Sequence, residues 1–183
     1  MRIRSVSVEN FGTIEAVELE FDGGMTVICG PNESGKTTLR RAIWFALTRR
    51  ATSQAQEIQD IEPNTGGTPH VEVGFERTDG TYTLEKTFAG QSGSTTLRVD
   101  EEGIVDTYNG EEADEKLREA LGFGEFSGRP PTPDHAGFWP VTWVDQGESG
   151  SDPGEKLTEQ GDEATVSEAL AEIGGDVLAG AEG

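Results

Sequence analysis

The sequence predicts an α/β fold in which antiparallel β hairpins are added to a strand–turn–helix unit. Three observations predict it. An apolar run, Met25-Thr26-Val27-Ile28-Cys29, leads into a glycine-rich turn. A helical repeat follows, with Leu39, Ala42, Ile43, Ala46 and Leu47 returning every three or four residues. Short alternating runs then come in pairs, separated by turn residues.

The elements follow in order. Residues 2–9 read as a strand, and Asn10-Phe11-Gly12 makes a turn. Residues 15–21 put Val17, Leu19 and Phe21 on one face and Glu18 and Glu20 on the other, which marks a half-buried strand. Asp22-Gly23-Gly24 turns again. The unbroken apolar run 25–29 predicts a strand covered on both faces. The helix runs from Lys36 to about Leu47. Residues 49–68 lack periodicity and predict a mobile loop. Val71, Val73 and Phe75, then Thr78-Asp79-Gly80, then Tyr82, Leu84 and Phe88 predict a hairpin. Strands at 95–100 and 103–108 flank Glu101-Glu102-Gly103, and residues 111–121 form a short amphipathic helix. Residues 128–137 are rich in proline, and 138–144 read as a strand ending at Asp145-Gln146-Gly147. Residues 1–147 are thus one lobe, 148–163 a flexible acidic linker, and 164–183 the start of a helix or coiled coil.

Composition narrows the function. No run of about 18 apolar residues occurs, so no membrane span is expected. The N-terminus lacks a signal-peptide core, Cys29 is the single cysteine, and the cytoplasm is the default compartment. The net charge is −21, yet residues 1–50 carry +1 and the rest −22. Lysines number four against ten arginines. Such a surface suits a salt-rich cytoplasm, where screening acts within about 3 Å at 1 M; an acidic, soluble protein from an ordinary cell is the alternative. An acidic chain is also a poor binder of naked DNA, whose phosphates demand cations.

Gly30-x4-Gly35-Lys36-Thr37 matches the P-loop, or Walker A, pattern. Its glycines let backbone N–H groups curl inward around phosphate oxygens. The next helix adds free N–H groups and the positive end of its dipole. Lys36 is placed for the β- and γ-phosphates, the Thr37 hydroxyl for Mg²⁺, and Thr38 for the α-phosphate. Four fixed positions recur by chance in about one chain in a hundred of this length, and the strand–helix context makes a chance match rarer still. Gln146, after a Trp-bearing apolar strand, is a second candidate for the Mg²⁺ and water position. A solvated turn residue is the alternative.

Ile3-x-x-Val6-x-Val8-Glu9-Asn10-Phe11-Gly12, followed by Phe21-Asp22-Gly23-Gly24 and Gly30-Pro31-Asn32-Glu33-Ser34-Gly35-Lys36, resembles the N-terminal head segment of SMC-like ATPases. That group holds RecF, RecN, the structural-maintenance-of-chromosomes proteins and the ATPase of the double-strand-break repair nuclease complex. Trp143-Val144-Asp145-Gln146-Gly147 is similar to the family's Q-loop. The resemblance covers roughly residues 1–150, strongly at 1–47 and 141–148. It implies a P-loop NTPase fold, an ABC-type N-terminal lobe with added antiparallel β hairpins. It implies ATP and Mg²⁺ as cofactors. Gly30, Asn32, Glu33, Ser34, Gly35, Lys36, Thr37 and Thr38 then bind nucleotide, with Asn32 ordering the loop or meeting the γ-phosphate. Thr37 and Gln146 hold the metal, and Gln146 positions the attacking water. Arg2 and Arg4 fall where the family handles base or ribose.

The resemblance also says what the sequence lacks. Family members continue into a coiled coil and return with a C-terminal lobe carrying the signature motif, the Walker B Asp-Glu pair and a switch histidine. Gly103-Ile104-Val105-Asp106 has no following acid and reads as a hairpin strand end. Gln91-Ser92-Gly93-Ser94 is no complete signature. His70 and His135 lack metal-ligand spacing and read as structural. The sequence therefore reads as the first part of a longer chain, unable to hydrolyse ATP alone. The expected partners are a C-terminal lobe of the same or a second chain, a head-to-head dimer closed on ATP, and candidate nuclease and DNA contacts. The expected function is the ATPase module of a DNA repair or chromosome-maintenance protein. A stand-alone nucleotide-binding module that docks to a partner is the alternative. A P-loop kinase or GTPase is disfavoured, because the opening strands have no place in it and no Asn-Lys-x-Asp motif occurs.

Overall fold

The computed structural model describes residues 1–63 and 66–122. They build one six-stranded sheet, antiparallel throughout, in the order β2-β1-β3-β4-β5-β6. Strand β1 is Arg2–Phe11 and β2 is Ile14–Glu20. Helix α1, Lys36–Thr48, and a one-turn helix α2, Gln56–Gln59, come next. Strands β3 (His70–Glu76) and β4 (Thr81–Thr87) form the predicted hairpin. Strands β5 (Ser94–Glu101) and β6 (Ile104–Asn109) form the second, and α3 spans Gly110–Leu121.

The register explains why the alternating pattern was readable. Val6, Val73, Leu84 and Leu97 lie abreast across β1, β3, β4 and β5, and all four are buried. A second row holds Val8, Val71, Lys86 and Thr95, also buried. The intervening residues, such as Ser5, Ser7, Glu72 and Glu85, are polar, so the sheet has one packed face and one polar face. Helix α1 packs Leu39, Ala42, Ile43, Phe45 and Ala46 into this core, and α3 contributes Ala113, Leu117 and Leu121. The β5–β6 turn uses Glu102 at φ 54° and Gly103 at φ 87°, the left-handed pair that a two-residue hairpin loop requires.

Two expectations change. Residues 25–29 form no strand. Met25 is 92% exposed, Val27 70% and Ile28 46%. A strand exists only where a neighbour completes its hydrogen bonds, and among the described residues none pairs with this run. The apolar pattern predicts a strand covered on both faces, and among the described residues the run is neither paired nor covered. Residues 49–68 are also more than a loop. They contain α2, and Ala51, Ile58 and Ile61 are buried. These anchors are too widely spaced to give a period. The strand at 138–144, Gln146, His135, the linker at 148–163 and the helix at 164–183 lie outside the described residues.

Candidate functional site

The glycine-rich segment leads directly into the N-terminus of α1. Gly35 caps the helix at φ 87°, a left-handed conformation natural to glycine, and Leu39 N–H bonds back to its carbonyl at 2.8 Å. No side chain caps this end and no acid occupies the first turn. The free N–H groups and positive dipole end of α1 are thus left to other acceptors. Glu33 takes φ 64°, sparsely populated for a residue with a Cβ, so the loop bends sharply just before the helix. A Cβ at Gly30 would stand 2.8 Å from the Ser34 hydroxyl, which would have to turn away.

Lys36 organises the loop from within. Its Nζ donates to the carbonyls of Gly30 at 2.8 Å and Pro31 at 2.5 Å, and lies 3.4 Å from Ser34 Oγ. The ammonium is therefore held inside the ring of backbone that it closes. Thr37 is exposed beside it.

The β1–β2 turn holds this assembly from behind. Thr13 Oγ1 lies 3.2 Å from Thr38 Oγ1. A Cβ at Gly12, whose φ is +57°, would stand 3.1 Å from Thr38 Cγ2, and one at Gly35 3.3 Å from Ile14. Phe11 is fully buried and meets Phe45 of α1 edge-on, with ring centroids 6.0 Å apart. Gly12 N–H donates to Ile61 O at 2.7 Å, which ties the 49–63 segment to the same turn. The Asn-Phe-Gly triplet and the glycine-rich loop, 18 positions apart in sequence, thus share one piece of packing. The predicted residues Gly30, Asn32, Glu33, Ser34, Gly35, Lys36, Thr37 and Thr38 all belong to this single loop–helix junction.

The other candidates sort differently. Arg2 and Arg4 share one carboxylate, Glu76, at 3.2 and 2.8 Å. His70 opens β3 with Nδ1 3.3 Å from Thr87 Oγ1, and no cluster of metal-ligating residues occurs among the described residues. Ile104 and Val105 lie on the edge strand β6 and are 70% and 60% exposed, which fits a hairpin strand and not a buried Walker B strand.

Sequence reading passed over Lys86. It sits on β4 in phase with Tyr82, Leu84 and Phe88, and it is buried. Its Nζ donates to Arg49 O at 2.6 Å and pairs with Asp114 Oδ1 at 2.9 Å. The Thr95 hydroxyl reaches the same carboxylate oxygen at 3.3 Å. Burial pushes the Lys86 ammonium below its ordinary pKa, while the Asp114 charge opposes that shift. A lysine that keeps the phase of an apolar strand face was the signal that would have found it.

A family model described as an AAA domain matches residues 5–125, so the chain belongs to that family. It is the N-terminal segment of an SMC-like, ABC-class ATPase. Among curated relatives, the DNA double-strand break repair Rad50 ATPase of Methanopyrus kandleri is 33% identical over 127 residues, covering 66% of this chain and 14% of the relative. The Rad50 ATPase of Sulfolobus acidocaldarius is 26% identical over 125 residues, covering 67% of this chain and 14% of the relative. The DNA replication and repair protein RecF of Mannheimia succiniciproducens is 49% identical over 45 residues, covering 25% of this chain and 12% of the relative. The chain thus spans about a seventh or less of the length of these relatives. Among the described residues no helix is long and apolar enough to cross a membrane.

Proposed function

We propose that the chain is the ATP-binding N-terminal lobe of a DNA repair ATPase, with Gly30–Thr38 as its phosphate loop. One observation carries the reading. An uncapped helix N-terminus, free of acidic side chains, meets a loop closed around the Lys36 ammonium. That is a cradle for an anion, and the donor set fits Mg·ATP. The backbone N–H groups of the loop and of α1 hold phosphate oxygens. Lys36 exchanges its loop carbonyls for the β- and γ-phosphates, Thr38 meets the α-phosphate, and Asn32 orders the loop. The exposed Thr37 hydroxyl suits a Mg²⁺ ligand. Bound Mg²⁺ supplies charge neutralisation across the β- and γ-phosphates. Gln146 completes the metal and water position by family likeness alone.

Binding is the part this sequence is equipped for. Hydrolysis also needs a carboxylate that orients water and a motif that clamps ATP across two heads, which the family resemblance assigns to a C-terminal lobe. The exposed Met25–Ile28 run supports a C-terminal lobe as the missing partner. Its apolar side chains need covering, and its backbone needs a neighbouring strand. A head-to-head dimer, DNA and a nuclease subunit belong to the same reading of the complete protein, and the Rad50 and RecF relatives support it.

The test is reconstitution. Mixing the chain with a separately expressed C-terminal lobe should yield Mg-dependent ATP turnover that neither part shows alone. A mixed complex that binds ATP and never turns it over would leave only a nucleotide-binding module.

A further inference from the structure

We infer that Lys86 is a positioning residue for the phosphate loop, fixing the far end of α1 and coupling it to α3. The inference rests on the nucleotide reading above.

Helix α1 starts at the loop with Lys36 and is capped at its other end by Arg49, whose N–H returns to Phe45 O at 2.9 Å. The Arg49 carbonyl receives the Lys86 ammonium at 2.6 Å, and the same ammonium holds Asp114 on α3 at 2.9 Å. One buried cation therefore joins the exit of α1, the centre of the sheet and α3. Packing alone does not call for it. An apolar pair of similar volume in such a place is often as stable or more so. What the charged bonds add is direction, because a carbonyl and a carboxylate must both face one ammonium.

Two further contacts act on the same exit. A Cβ at Gly93 would collide with the Ala51 carbonyl, so the turn before β5 closes on the chain just past α1. Arg50 pairs with Glu111 in the first turn of α3 at 3.2 Å. A helix moves as a rod, so a hold on Arg49 is a hold on Lys36. A ligand that draws the N-terminus of α1 acts, through Lys86, on α3.

Hydrogen exchange of the full chain with and without Mg·ATP tests this. In the wild type, Mg·ATP should slow exchange at residues 30–40 and also at 110–121. The double variant Lys86→Met/Asp114→Leu leaves no buried charge unpaired. It should keep cooperative unfolding and ATP protection at 30–40, lose the response at 110–121, and bind roughly fivefold more weakly or worse. Gly93→Ala keeps both charges, presses on the same exit, and should weaken binding likewise. An unchanged response at 110–121 with unchanged affinity in these variants would overturn the inference. A wild type that does not bind Mg·ATP removes the nucleotide reading itself, and the coupling with it. Binding that is lost only with Lys36→Ala and is indifferent to Lys86 removes the coupling alone.

Discussion

Phe11 joins the two sequence motifs. Its ring lies edge-on to Phe45 of α1 and, at 6.3 Å, to Phe88 beyond β4. Phe11→Ala should cost about 3–5 kcal/mol in denaturant unfolding, the usual range for a buried aromatic. A loss below about 1 kcal/mol would mean that the turn does not anchor the helix. Tyr82 stacks on Phe75 at 5.0 Å, and its phenol titrates above the ordinary value of 10.0. Burial is the main cause and the Asp79 charge the second. Because the folded value exceeds the unfolded one, the native state holds the proton more tightly. Its contribution to stability is whole below about pH 10 and is lost as pH rises through the folded value. Tyr82→Phe should therefore lose less stability than the wild type under alkaline titration. Equal slopes would contradict this.

Elements were legible where one local rule decided them. The hairpins declared themselves by alternation and turn glycines, and α1 by its apolar stripe. The glycine-rich turn ahead of α1 was legible as a motif because both its residue types and its spacing are fixed. Three things were not. The run 25–29 has the right side chains for a strand, but strand formation depends on a partner that the local sequence does not name. Ile58 and Ile61 are buried, and the Ile61 carbonyl accepts from the Gly12 N–H, a contact invisible to periodicity. Lys86 was passed over because a charge within an apolar phase is ordinarily read as a break. The exposed run yields a prediction of its own. Val27→Asp should change the stability of this chain by no more than about 0.5 kcal/mol, as for most surface positions. The same change should abolish association with the separately expressed C-terminal lobe. Unimpaired association would place the lobe elsewhere.

At the scale of the molecule, charge governs behaviour. The net charge of −21 falls wholly after residue 50, and it repels itself in the compact state. Screening relieves that repulsion, so the unfolding midpoint should climb between 0.1 and 3 M KCl. A flat or falling midpoint would remove the reading of the surface as salt-adapted. Five of the fourteen basic residues, Lys36, Arg40, Arg41, Arg49 and Arg50, fall within residues 36–50, and Arg49 and Arg50 pair with Glu57 and Glu111. The most direct test is a calorimetric titration of Mg·ATP into the wild type and Lys36→Ala. The account predicts saturable binding with one site per chain, weakened about ten- to hundredfold by the substitution, the size of one or two charge-assisted bonds. Equal affinity in the two proteins, or no binding to the wild type, would contradict it.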